Sequence, residues 1–269
     1  MPELAIPQSV VVGIDGSKSA MRAALWAIDE AVSRDAPLRL LCAAEPGDTR
    51  EAAATSIRRA VKAIEAAGKP VKIETEVVPG RAIGSLISAS ASAAMVCVGA
   101  VGLRHFQPGR MGSVAAALAI SARCPVAIIR GRDGRPAADS ILVELDGSPD
   151  NGVLLGAAVE EARLRGAAVR AIICRRPAPQ GQAEDDRRAL AGLDRRLARW
   201  KRRYPDLRVD STAVHGGLLE YLTYHRRSVG LVVVGARNGQ QVRELLGPAG
   251  SAVLQDTDCS VLIVDQQHL

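Results

Sequence analysis

Short aliphatic runs punctuate the chain near residues 9–15, 38–44, 71–78, 95–99 and 125–130. Between them, apolar side chains recur every three or four positions. Met21, Leu25, Ile28 and Val32 form one such series, Ile57, Val61 and Ile64 a second, and Ile83 with Leu86–Ile87 a third. The runs have the pattern of strands buried on both faces, and the three-four spacings that of helices with one buried stripe. Strand and helix alternate through five strands. That order predicts right-handed βαβ crossovers and a parallel sheet covered on both faces. Ligands on such sheets bind beyond the carboxyl ends of the strands, where the winding reverses.

The pattern then starts again. Val10-VVGIDGS is matched by Ile141-LVELDGS, so Asp15 corresponds to Asp146. The stretch from Glu30, EAVSRDAPLRLLCAAEP, is matched by EEARLRGAAVRAIICRRP from Glu160. Met95-VCVGA is matched by Leu231-VVVGA, and Cys124-PVAIIR by Cys259-SVLIVD. Four landmarks kept in order mark an internal repeat. The expected organisation is a first domain over 1–130, a Gly/Pro/charge-rich linker over 131–139 and a second domain over 140–269. The second repeat carries a long helix over 184–203 with Leu190, Leu193, Leu197 and Trp200 on one side.

Composition adds to this picture at three points. Aromatic residues make up 2% of the 269-residue chain, so the cores must be built from Ala, Val, Leu and Ile. The net charge of +6 is uneven: residues 1–135 hold 17 Lys and Arg against 12 Asp and Glu, and the remainder 18 against 17. A surplus of this size is a solvated surface more often than a nucleic-acid footprint. Five cysteines (Cys42, Cys97, Cys124, Cys174 and Cys259) form no CxxC pair, which points to buried, reduced thiols and a cytoplasmic setting. No basic region followed by an apolar core marks the N-terminus as a signal peptide, and no apolar stretch is long enough to cross a membrane.

The candidate chemistry sits after the fourth strand. There the chain reads Gly99-AVGLRHFQPGRM-Gly112-Ser113, followed by the helix-forming VAAALAISA. Glycines let backbone approach a phosphate closely, and helix-start N–H groups point at an anion. Ser113 stands where its hydroxyl can cap the helix or bind a phosphate oxygen. Arg104 and Arg110 add positive charge to the loop. A surface loop with glycines used only for turns is the bland alternative. Its place between an aliphatic strand and a helix favours binding.

The spacing Gly99, Gly102, Gly112-Ser113 resembles the signature of the universal stress protein family, in its tandem-domain form of actinobacterial type. The resemblance covers nearly the whole chain. It implies two Rossmann-like domains of the adenine nucleotide alpha hydrolase-like type, each a five-stranded parallel sheet with helices on both faces. It implies ATP, with or without Mg2+, as ligand. Gly13, Ile14 and Asp15 would then stand at the ribose or adenine, Ala43 against the base, and Val98 and Gly99 along base and sugar. Gly102, Arg110, Gly112, Ser113 and Val114 would surround the phosphates. Ala115 stands where the family often has a further hydroxyl, which removes one metal contact.

The second repeat departs from this pattern. Its loop reads Gly235-ARNGQQVRELL-Gly247-Pro248, so Asn238 replaces Gly102 and Pro248 replaces Ser113. Proline removes a hydroxyl and a backbone donor. Arg175 is expected in the place of Ala43. The second site therefore reads as degenerate.

No metal-ligand spacing, nucleophile elbow or Walker-type loop is present, and His105 has no paired carboxylate. A run from Arg187 to Arg203 makes the long helix basic. With no helix-turn-helix, zinc pattern or stacking platform legible beside it, it reads as a solvated face, and neither nucleic acid nor membrane is expected as a partner. The expected function is a non-catalytic, nucleotide-binding regulator of a stress or dormancy response, with an unidentified protein partner. Its two repeats are expected to pack as an internal pseudo-dimer through strands 125–130 and 260–265, a homodimer being a further option. A scaffold without nucleotide and a slow ATPase or autophosphorylating protein are the alternatives.

Overall fold

The computed structural model describes residues 8–45, 47, 49–103, 110–131, 140–145, 151–175, 182–226 and 228–264. The linker expected over 131–139 lies, from 132 on, outside the described residues, as do Arg104, His105 and Asp146. The chain divides into two compact units at Gly131.

In the first unit the elements run β1 (Val10–Gly13), α1 (Lys18–Ser33), β2 (Leu38–Ala44), α2 (Arg50–Ala66), β3 (Ile73–Pro79), α3 (Ala82–Ala89), β4 (Met95–Gly99), α4 (Ser113–Ser121) and β5 (Val126–Ile129). Every strand pairing is parallel, in the order β3-β2-β1-β4-β5. The winding reverses between β1 and β4. Val10, Val11, Val12, Val96 and Cys97 are fully buried, as strands covered on both faces require.

The buried face of α1 differs from the expected one. Leu25 and Val32 are 39% exposed, and the face against the sheet is Ala20, Ala23, Ala24, Ala27, Ile28 and Ala31. The reason is distance. A Cβ placed on Gly99 would lie 2.3 Å from the Ser19 Oγ and 2.5 Å from the Ser19 carbonyl carbon. Helix and strand end approach so closely that only small side chains fit between them.

The second unit runs β6 (Ser140–Glu144), α5 (Asn151–Arg165), β7 (Ala168–Arg175), α6 (Gln182–Arg203), β8 (Val209–His215), α7 (Leu218–Tyr224), β9 (Val229–Gly235), α8 (Gly239–Leu246), α9 (Pro248–Thr257) and β10 (Ser260–Val264). Its parallel order is β8-β7-β6-β9-β10, the winding of the first unit. Register makes the repeat concrete. Val10 pairs with Leu38 in the first unit and Ile141 with Val169 in the second. The Ile14 N–H donates to the Leu41 carbonyl and the Leu145 N–H to that of Ile172. The partner of Ala43 in the repeat is therefore Cys174, and Arg175 corresponds to Ala44. The expected match of Arg175 with Ala43 is displaced by one residue.

A second correction concerns the loop after β9. The stretch expected to be a shortened phosphate loop is mostly helix. Asn238 caps α8, its Oδ1 accepting the Gln241 N–H at 3.1 Å. Pro248 opens α9, where its missing N–H is unused in any case. The two helices touch closely at Gly250, whose Cβ would lie 2.2 Å from the Glu244 carbonyl oxygen.

Candidate nucleotide site of the first unit

The carboxyl edge of the first sheet brings together three short connections, after β1, β2 and β4. Asp15 leaves β1 at this edge and is exposed. Its Oδ1 accepts the Ser17 N–H at 2.9 Å and its Oδ2 accepts the Leu103 N–H at 2.9 Å. One carboxylate thus joins the start of α1 to the start of the glycine-rich loop. The Ser17 hydroxyl caps α1 by accepting the Ala20 N–H at 3.0 Å. Gly16 has φ +85°, a backbone state that L side chains rarely adopt, and its missing Cβ faces the Ser56 hydroxyl at 2.8 Å.

Gly102 is held against Asp15. A Cβ on it would stand 2.8 Å from Oδ2, so a side chain there would displace the carboxylate or break its bond to Leu103. The loop closes where the Gly112 N–H donates to the Ala100 carbonyl at 2.8 Å. The first intrahelical bond of α4 runs from the Ala116 N–H to the Gly112 carbonyl. The N–H groups of Ser113, Val114 and Ala115 precede it and have no intrahelical acceptor. Helices α1 and α4 both begin at this edge, so both direct the positive ends of their dipoles there. Ser113 and Arg110 are exposed and Val114 is half-buried.

Below the loop the edge is small and apolar. Ile14 and Val98 are buried, at 4% and 3% exposure, while Gly13, Ala43 and Gly99 are half-buried. A Cβ on Gly13 would meet Leu86 at 3.1 Å and Val98 at 3.2 Å. All eleven residues singled out in the sequence lie in β1, β2, β4, α4 or the connections that follow those strands. Among them Gly102 lies against Asp15, Gly13 against Val98, and Gly112 against the Gly102 backbone. Ser19, Ser56 and Leu86 also shape the edge, and nothing in their spacing marked them. They were findable only through what packs against Gly99, Gly16 and Gly13.

The same edge of the second unit is filled. Glu144 stands in the register position of Gly13, and its Oε2 accepts the Gln241 amide of α8 at 2.5 Å. Burial, together with the charge and hydrogen bond of Glu144, pushes the Cys174 thiol above its ordinary range and keeps it protonated. Further along, Asp186 of α6 holds His215 at 2.9 Å and Arg175 at 3.9 Å. A carboxylate and a thiol thus stand where the first unit has Gly13 and Ala43, and the chain after β9 continues into a capped helix.

The five cysteines are free thiols. Cys42, Cys97, Cys124 and Cys259 are buried and Cys174 is partly so. Among the described residues no group of His, Cys, Asp and Glu is placed to hold a metal ion, and no helix is long and apolar enough to cross a membrane.

A doubly wound parallel sheet with glycine-rich connections at its switch point defines a Rossmann-like α/β protein. The universal stress protein family matches twice, over residues 7–130 and 138–265, and the chain belongs to that family. Universal stress protein Rv2028c of Mycobacterium tuberculosis is 54% identical over 277 residues, covering 98% of both chains. Universal stress protein Rv3134c of the same species is 45% identical over 256 residues, covering 92% of this chain and 95% of that one. Among solved structures, a universal stress protein from Archaeoglobus fulgidus superposes with a TM-score of 0.68 over 96% of both chains at 16% identity, a likeness of fold.

Proposed function

We propose that the first unit binds one adenine nucleotide and that the protein acts as a non-catalytic regulator in a stress or dormancy response. One observation carries this reading: at equivalent positions of the two sheets, the first has Gly13, Ala43 and Gly102 where the second has Glu144, Cys174 and Asn238. Small residues at the switch point of the first unit suit close approach of a ligand, and the larger, mutually bonded residues of the second do not.

In this reading the base lies over Ile14, Ala43 and Val98. The sugar stands near Asp15 and Gly99. Phosphates meet the N–H groups of Gly102, Ser113 and Val114, with the Ser113 hydroxyl and the Arg110 guanidinium beside them. A triphosphate suits this cradle of helix N-termini, with Mg2+ supplied along with the nucleotide. The regulator reading is supported by Asp15, a carboxylate at this edge whose oxygens already accept two backbone N–H bonds, as a structural tie does.

Calorimetric titration of Mg-ATP into the full chain tests the proposal, beside Gly102→Val. Near one equivalent is expected, with affinity reduced by about a hundredfold or more in the variant, because the added side chain meets the Asp15 carboxylate. Two equivalents would overturn the reading of the second edge. No binding by folded, nucleotide-free protein would overturn the ATP claim, and phosphate release abolished by Asp15→Asn would overturn the regulator reading in favour of an enzyme.

A further inference from the structure

Helix α6 uses its apolar face on its own sheet: Leu193 and Leu197 are 1% and 0% exposed. What it leaves outward is strongly basic. From Arg195 to Arg208 the chain carries seven Lys and Arg against one carboxylate, Asp206. Two of the six Trp, Tyr and Phe residues of the chain also fall here. Trp200 and Tyr204 are stacked, with ring centroids 6.3 Å apart and planes 18° from parallel. Trp200 is anchored against α5, its ring edge 3.6 Å from the position a Cβ on Gly156 would take.

Three guanidiniums lie over this pair. Arg163 of α5 is 4.1 Å from the Tyr204 centroid, Arg203 is 5.4 Å from it, and Arg199 is 5.1 Å from that of Trp200. Among the described residues none of the three is in an ion pair with a carboxylate. A guanidinium resting on a ring loses part of its rotational freedom before any partner arrives, while its N–H edge stays available for bidentate bonds to phosphate.

We propose that this α5–α6 face, centred on Arg163, Arg199 and Arg203, is a sequence-independent docking surface for the phosphate backbone of nucleic acid. Three observations select that partner. Charge complementarity calls for a polyanion. Cations at Arg195, Arg199 and Arg202 succeed one another by about one helical turn, roughly 5 Å, and so present a row of charge to a repeating anion. Among the described residues the exposed large hydrophobics are Leu25, Val32, Leu103, Ile120 and Tyr224, none of them on α5 or α6, and the half-buried rings of Trp200 and Tyr204 lie under guanidiniums. A membrane-surface helix needs an exposed apolar face, whereas a phosphate backbone does not. The helix composition alone reads as a solvated face. The Arg163 contribution and the stacked rings are tertiary features that change that reading.

The test is fluorescence anisotropy of a labelled DNA duplex titrated with the full chain over a range of salt. Binding is expected with a dissociation constant on the order of micromolar at low salt, weakening steeply as salt rises. Arg163→Gln/Arg199→Gln/Arg203→Gln should weaken it by about tenfold or more and lower the log–log salt slope by up to about 3. Lys201→Gln/Arg202→Gln, whose side chains have no recorded ring contact, should weaken it severalfold without risk to folding. The charge-matched control Arg58→Gln/Arg59→Gln/Lys62→Gln on α2, outside the proposed surface, should stay within about twofold of the parent. No anisotropy change at low salt up to about 100 μM protein, the weak limit of the usual non-specific range at physiological salt, would overturn the proposal. So would equal weakening by the α2 control, or tighter binding to polyglutamate or to phosphatidylserine vesicles than to the duplex.

Discussion

The carboxyl edges of the two sheets share a frame and differ in what stands on it. In the first unit small residues, Gly13, Ala43 and Gly102, stand at the edge, and the Asp15 carboxylate ties two backbone segments together. In the second, Glu144 bonds Gln241, Cys174 stays protonated beside them, and the chain after β9 forms a capped helix, α8. The strand register survives unchanged through this replacement. A doubly wound sheet is held by its buried aliphatic runs, so its ligand edge is free to be rebuilt or filled without loss of the fold.

The comparison can be broken first at its glycines. Gly99 and Gly235 are register equivalents with unequal surroundings. Gly99→Ala drives a methyl into the Ser19 backbone and should cost about 3 kcal/mol, whereas at Gly235 the nearest atom, of Leu154, is 3.5 Å away and the cost should stay within about 1 kcal/mol. Urea unfolding of both variants decides it, and equal losses would refute the close-approach argument.

A smaller effect probes what the units share. Glu30 bonds Arg34, and Glu161 bonds Arg165, at the same place in α1 and α5, with the glutamates 0% and 4% exposed at the side chain. Glu161→Gln should lose about 2 kcal/mol, below the full cost of breaking a buried pair because Arg165 retains some exposure. Glu30→Gln should lose a similar amount. Asn238→Ala should lose about 1 kcal/mol, and faster amide exchange should appear in α8 with none added in α4. Spread of that exchange into the first unit would mean that the units do not open independently.

The gentlest test is pH. Burial pushes the Cys124 thiol from its ordinary 9.0 up to about 12, and Cys174 is raised as well. Between those values the unfolded chain loses thiol protons that the folded chain keeps. Stability should therefore be full below about pH 9 and fall as pH rises toward 12. Melting temperatures across that window check the sign, and Cys124→Ala should flatten the decline.

Much of the fold was legible because it depends on local pattern. The strand positions near 38–44 and 95–99 coincide with β2 and β4, since an aliphatic run of that length has few other outcomes next to three-four periodic helices. On α1 the three-four spacing predicts a stripe that includes Leu25 and Val32, yet the buried face is mostly alanine. Close approach of the helix to Gly99 demands alanine there, and an approach distance leaves no trace in periodicity. The α8 helix was hidden by homology of position: a stretch aligned to a loop was read as a loop, although Asn238 followed by a helix-forming GQQVREL is a capping signal. The glycines at the carboxyl edge were visible in the spacing, whereas Ser19, Ser56 and Leu86, which pack against them, were not. Nor was Glu144, which stands in the same row as Gly13 once the strands are put in register.

By itself, the sequence determined the repeat and, in each copy, a parallel sheet with helices on both faces. These follow from hydrophobic period and chain order, which are local properties summed along the chain. Only the tertiary structure decided that one edge is lined by small residues and the other filled, that α1 packs through alanines, and that three arginines share two stacked rings. Those outcomes depend on distances between residues far apart in the chain, and such distances are set by packing.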